Sequence, residues 1–151
     1  MRMKSLTLTQ AQAAQIVAHA RSEAPLEACG LLGGQDGRVR RIYPAVNVLH
    51  SPTRYEIDPH VMIAALHDMA SQGWGPDPLA IYHSHPKGPE TPSQTDIALA
   101  GYPDSVYLII AHLDSNLRTA PSLRGFYIIA GQVQKVSLRI LRDQAENSCA
   151  A

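Results

Sequence analysis

The sequence predicts an α/β protein of the α+β kind, with helices flanking a mixed β-sheet. Three observations predict it. Segments with helical spacing and short extended segments follow one another as helix, strands, helix, strand, short helix, strands. A near-continuous apolar run at residues 105–111 has the character of a central strand buried on both faces. Two extended segments meet at Gly131, the pattern of a hairpin. The chain has 151 residues, 45% of them apolar and 17% charged, an ordinary globular composition. It reads as a single domain over residues 1–151, with 142–151 a loose tail. At this size roughly 68–70% of the unfolded surface can be buried, so a core without disulfides is expected.

Each element has a local cause. Thr9 followed by Gln12 is a capping box that opens a helix over 10–23, with Ala13, Ile16, Val17 and Ala20 on its inner face and Pro25 as its stop. Residues 27–33 read as a short buried strand ending at Gly33-Gly34. Residues 38–46 alternate and read as a half-exposed strand after a turn at Asp36-Gly37. Residues 55–57 form a short extended segment. Asp58-Pro59 then caps and starts a helix to about residue 72, with the stripe Met62, Ala65, Leu66, Met69. Residues 73–78 are loop, 79–83 a buried strand, and 92–100 a short helix. The hairpin pairs 123–130 with 132–141.

Charge and cysteine usage exclude several classes. Thirteen basic and thirteen acidic residues give a formal charge of zero, and the densest basic run, Arg38-Val39-Arg40-Arg41, fits an exposed strand. No nucleic-acid patch is expected. No apolar segment is long enough to cross a bilayer, and Met1-Arg2-Met3-Lys4-Ser5 lacks the apolar stretch of a signal peptide behind it. A cytoplasmic protein is expected. Of the two cysteines, Cys29 reads as a small buried residue and Cys149 as a tail thiol.

The chemistry concentrates in His83-Ser84-His85-Pro86 and Ser93-Gln94-Thr95-Asp96. Imidazoles at i and i+2 on a strand share a face. A carboxylate returning from the next helix would complete three protein ligands and leave a fourth position for water, the layout of a catalytic zinc site. Plainer readings stand beside this one. Ser-x-x-Asp is itself a helix cap, although Thr91 as N-cap, Pro92 at N1 and Gln94 at N3 would cap the same helix and release Ser93 and Asp96. Glu27, in an otherwise apolar stretch, is either a solvent-facing strand start or a general base beside a metal. His19, His60 and His67 fall on helix surfaces, His50 in a loop, and His112 at the end of a buried strand as a structural residue.

Taken together these residues resemble the JAMM (MPN+) metalloproteases. That family's pattern is a Glu, then His-Ser/Thr-His-Pro, six residues, Ser, two residues, Asp. Glu27, His83-Ser84-His85-Pro86, residues 87–92, Ser93 and Asp96 fill it throughout. The stretch around Glu27, residues 25–33, is similar to the family's Glu strand, and the likeness spans roughly residues 5–142. The small size resembles the stand-alone prokaryotic branch. The resemblance implies a curved, cytidine-deaminase-like mixed sheet. It implies that His83, His85 and Asp96 bind one Zn2+ with water as fourth ligand, that Glu27 acts as base and then acid, and that Ser93 stabilises the oxyanion. It further implies cleavage of peptide or isopeptide bonds after the C-terminal Gly-Gly of ubiquitin-like or sulfur-carrier proteins. Residues 87–90 and 74–77 are candidate walls for such a tail, and a homodimer is a candidate assembly. A non-catalytic scaffold of the same fold is the alternative. A zinc deaminase would carry His-x-Glu and Pro-Cys-x-x-Cys, which this chain lacks.

Overall fold

A computed structural model describes residues 2–114 and 120–143. The expected features at Cys149 and over 144–151 lie outside the described residues. The elements are β1 (Ser5–Thr9), α1 (Gln10–Glu23), β2 (Cys29–Gln35), β3 (Arg38–Ala45), α2 (Pro59–Ser71), β4 (Ala80–Ser84), α3 (Gln94–Leu99), β5 (Val106–Ala111), β6 (Ser122–Ile129) and β7 (Gln132–Leu141). No described helix is long and apolar enough to cross a membrane.

The mixed sheet with flanking helices is as expected, and it curls until it closes. The order is β1-β3-β2-β4-β5-β6-β7, with β1 joining the ends. β1 runs parallel to β7 from Ser5↔Ser137 to Thr9↔Leu141 and touches β3 at Thr7↔Arg38. This strand is absent from the expected elements. Its signal was the alternation Ser-Leu-Thr-Leu-Thr, which buries Leu6 and Leu8 on one face. The Thr9 cap drew attention to the helix behind it instead.

α1 forms as expected, with Thr9 accepting from the Gln12 N–H and Gln12 accepting from the Thr9 N–H. Such a cap contributes about 0.5–2 kcal/mol. α2 starts at the Asp58 cap with Pro59 in its first turn. Asp36 and Gly37, with φ of 55° and 74°, make the tight β2–β3 turn. Residues 55–57 contribute one isolated bridge, Asn47↔Ile57, rather than a strand.

The central strands β2, β4 and β5 are buried on both faces, whereas β3 and β7 are largely exposed on one. Leu6, Ile16, Leu32, Tyr82, Leu108 and Ile110 belong to a cluster that includes α1. Cys29, Leu31, Met69, Ile81 and Tyr107 belong to one that includes α2. Every residue of β5 is buried. Each Leu or Ile side chain so buried contributes about 1.5–3 kcal/mol. Gly30 is required by close approach, since a Cβ there would stand 2.5 Å from the Tyr82 ring.

Two pairings place the chemistry. β2 runs antiparallel to β4 with Cys29 opposite His83. β4 runs parallel to β5, and α3 lies in the connection between them. The chain therefore delivers α3 beyond the carboxyl end of β4.

Candidate active site

His83 is the fourth residue of β4, and His85 follows the strand's end. Period two puts both imidazoles on one face. Both are buried, at 1% and 5% exposure. The antiparallel register continues past Cys29, since Ser84 N–H donates to Ala28 O at 3.0 Å. It sets Glu27 opposite His85, on the face that His83 and His85 share. Ser84 points the other way, and its hydroxyl accepts from Ala28 N–H at 2.8 Å, tying the Glu27 segment to β4. Glu27 itself lies two residues before β2, not inside the expected strand. Its N–H donates to Ser51 O at 2.9 Å and its carbonyl accepts from Asn47 Nδ2 at 3.1 Å.

α3 corrects the expected cap. The helix begins at Gln94 with Ser93 as N-cap, so Thr91 and Pro92 stay outside it. Ser93 Oγ accepts from Asp96 N–H at 3.0 Å, and Asp96 Oδ2 accepts from Ser93 N–H at 2.8 Å. The reciprocal box satisfies two N–H groups at once, and the Thr91 alternative loses to it. Capping and site placement are therefore one arrangement, because the same Oδ2 reaches both imidazoles.

His83 Nε2 and His85 Nε2 are 3.0 Å apart, and Asp96 Oδ2 lies 3.2 Å and 3.1 Å from them. Donor atoms about 2.0–2.1 Å from a tetrahedral zinc are separated by about 3.3 Å. One carboxylate oxygen of Glu27 and one ring nitrogen from each of His83 and His85 lie within 4.8 Å of one another. Glu27 Oε1 is buried with no hydrogen-bond partner among the described residues. Two imidazoles, a carboxylate and an unsatisfied buried oxygen on one small volume fit a divalent cation and a water beside it.

The electrostatics follow from this crowding. Burial pushes the Glu27 carboxyl up to about 7, with His85 opposing the rise. Burial pushes His83 down. Burial also lowers His85, but its bonds to Asp96 and Pro89 outweigh that and raise it overall. Burial raises Asp96, yet the hydrogen bonds from His83 and His85 hold it well below the usual carboxylate range.

The 87–90 loop does border the site. His85 Nδ1 lies 2.7 Å from Pro89 O. Glu90 pins the loop through Ser122, Arg124 and His112. His112 is thus an exposed pairing residue. The 74–77 stretch does not border the site. Trp74 packs against Gly33, at the other end of β2 from Cys29, and beneath Arg41. His19 is not a surface residue either, since Nδ1 lies 2.7 Å from the Tyr82 hydroxyl under α1. His50, His60 and His67 are exposed. Cys29 is buried and free, and burial pushes its thiol up to about 12.

Asn47, Tyr55 and Ser84 escaped sequence reasoning. Ser84 alone carried a signal, since period two between the paired histidines turns it to the opposite face. A groove of about 400 Å3 opens beside Asp96, lined also by Leu49, Arg54, Tyr55 and Leu99. A larger one of about 560 Å3 lies along β6 and β7 and meets the site region only through Glu90 and Thr91.

Residues 9–139 match the family described as prokaryotic homologs of the JAB domain. The CysO-cysteine peptidase of Mycobacterium tuberculosis is 34% identical over 130 residues, 85% of this chain and 86% of that one. The desampylase of Haloferax volcanii is 41% identical over 101 residues, 62% of this chain and 71% of that one. The solution structure of protein DSY2949 from Desulfitobacterium hafniense superposes with a TM-score of 0.79 at 37% identity, covering 91% of this chain and 94% of that one.

Proposed function

The chain belongs to the prokaryotic JAB-domain family, and from that premise we propose that it is a zinc-dependent peptidase or isopeptidase that cleaves conjugates of ubiquitin-like or sulfur-carrier proteins. The observation that carries this reading is the triangle of His83 Nε2, His85 Nε2 and Asp96 Oδ2, 3.0–3.2 Å on each side. The relatives' names support the substrate class, being a CysO-cysteine peptidase and a desampylase.

In this reading His83, His85 and Asp96 hold one zinc, and residues 1–151 act as one domain. When bound, the metal polarises the scissile carbonyl and lowers the pKa of its water to about 7. Glu27 Oε1 takes a proton from the attacking water and returns it to the leaving amine nitrogen. Its buried setting raises its basicity, and a bound cation would oppose that rise. Ser93 Oγ accepts one bond, from the Asp96 N–H. Its O–H remains to donate to the oxyanion that develops on the scissile carbonyl. The extended Gly-Gly tail lies in the groove beside Asp96, with Tyr55, Leu49 and Leu99 as walls. A cytoplasmic site of action and a homodimer belong to the same reading, and sedimentation of the purified chain tests the second.

The test uses sulfur-carrier and ubiquitin-like proteins extended beyond Gly-Gly by cysteine or by a lysine-linked partner. Mass spectrometry follows them with the zinc-loaded chain, with and without chelator. Trimming after Gly-Gly that chelator abolishes is the expected result. Zinc uptake without trimming of any such substrate would favour the non-catalytic scaffold and overturn this reading.

A further inference from the structure

We propose that Tyr55 is a positioning residue for His83, its ring holding the imidazole in place of the hydrogen bond that the second ring nitrogen lacks. The inference rests on reading the site as a metal site. The two imidazoles are held in different ways. His85 Nδ1 lies 2.7 Å from Pro89 O, so the ring donates there and turns its Nε2 lone pair inward. His83 Nδ1 is buried and has no hydrogen-bond partner among the described residues. A histidine that binds metal ordinarily donates its other N–H to a carbonyl, carboxylate or water, which fixes its tautomer and its rotation. No described residue supplies such a polar restraint to His83 Nδ1.

Tyr55 supplies an apolar one. Its ring stacks on His83 with centroids 4.4 Å apart and planes at 21°. Rotation of the imidazole about its Cβ–Cγ bond would drive a ring edge into that face. The His85 ring meets His83 edge-on at 4.8 Å and 64°, so the imidazole is bounded by two rings.

The tyrosine is itself held from both sides. Asn47 Nδ2 donates to Arg54 O at 2.9 Å, and Asn47 Oδ1 accepts from Glu56 N–H at 3.1 Å. The bonds fall on the residues immediately before and after Tyr55. The same Nδ2 reaches the Glu27 carbonyl. One buried amide, 6% exposed, therefore fixes the backbone of both Tyr55 and Glu27.

The test compares the full wild-type chain with Tyr55→Phe and Tyr55→Leu. Zinc affinity is read by competition with a chromophoric chelator, and ligand geometry by the visible absorption of the Co2+-loaded protein. Circular dichroism checks folding. Tyr55→Phe is expected to bind as wild type. Tyr55→Leu is expected to lose about 10–100-fold in affinity, the usual consequence of removing an outer-shell partner, with altered Co2+ bands. Undiminished binding by Tyr55→Leu would overturn the inference. A Tyr55→Phe variant as weak as Tyr55→Leu would overturn it too, since the hydroxyl and not the ring would then matter. If Tyr55→Leu does not fold, Tyr55→Met replaces it under the same criteria. A wild-type chain that takes up no metal sinks the proposed function and this inference together. Wild-type uptake matched by Tyr55→Leu sinks this inference alone.

Discussion

Ser93 and Asp96 hold each other, the serine hydroxyl accepting the Asp96 N–H and the aspartate carboxylate accepting the Ser93 N–H. Because that same carboxylate oxygen faces both imidazoles, the helix cap also aims the Asp96 carboxylate at the paired histidines. Ser93→Ala should therefore act in two places. Loss of the cap costs about 0.5–2 kcal/mol of stability. Loss of the oxyanion bond proposed for its hydroxyl should lower kcat by about 10²–10³-fold. Thermal melts and steady-state kinetics read the two separately, and an unchanged kcat would remove Ser93 from the chemistry.

Glu27→Gln keeps the shape of the side chain and removes its basicity. We expect stoichiometric zinc and a kcat lower by about 10²–10⁴-fold, the range for a lost general base. Metal analysis beside single-turnover kinetics checks this. Loss of zinc from the variant would make Glu27 a ligand instead.

His85→Ala and Asp96→Ala each remove one corner of the donor triangle. Both should lower zinc content and rate together, and added zinc should not restore wild-type turnover. In the wild type, chelation should abolish turnover and added zinc should restore it. A His85→Ala protein that titrates with zinc like wild type would show that the triangle is not the ligand set.

Glu90 provides a pH test away from the donors. Hydrogen bonds from Ser122, Arg124 and His112 lower its carboxyl from 4.5 to about 2. The folded state thus favours the ionised form. Its stabilising contribution is present above about 4.5, the unfolded value, and is lost as the pH falls toward 2. Glu90→Gln should melt below wild type at neutral pH and converge with it near pH 2. Because the group is only half-buried, the difference will be small. Parallel melting curves across that range would mean the cluster does not hold the loop.

Much of this protein could be read from its residues in order. The α1 and α2 boundaries followed from the Thr9 and Asp58 caps, because capping is local chemistry between residues three or fewer apart. The burial of β4 and β5 followed from their apolar runs. The shared face of His83 and His85 followed from the period of a strand. The spaced motif singled out Glu27, His83, His85, Ser93 and Asp96 as candidates, since their identities and separations are properties of the chain alone.

The tertiary structure decided whatever depends on pairing between distant segments. Closure of the sheet needs β1 against β7, more than 130 positions apart, and no local pattern encodes that partner. Glu27 meets His85 because the β2–β4 register fixes a sum of residue numbers rather than a spacing. Ser93 rather than Thr91 caps α3 because Asp96 Oδ2 binds the Ser93 N–H and two imidazoles from another strand at once. The stacking of Tyr55 on His83 and the Asn47 amide behind it are contacts between a loop and a strand. Periodicity is blind to such contacts, since their energy depends on distance in space and not on separation along the chain.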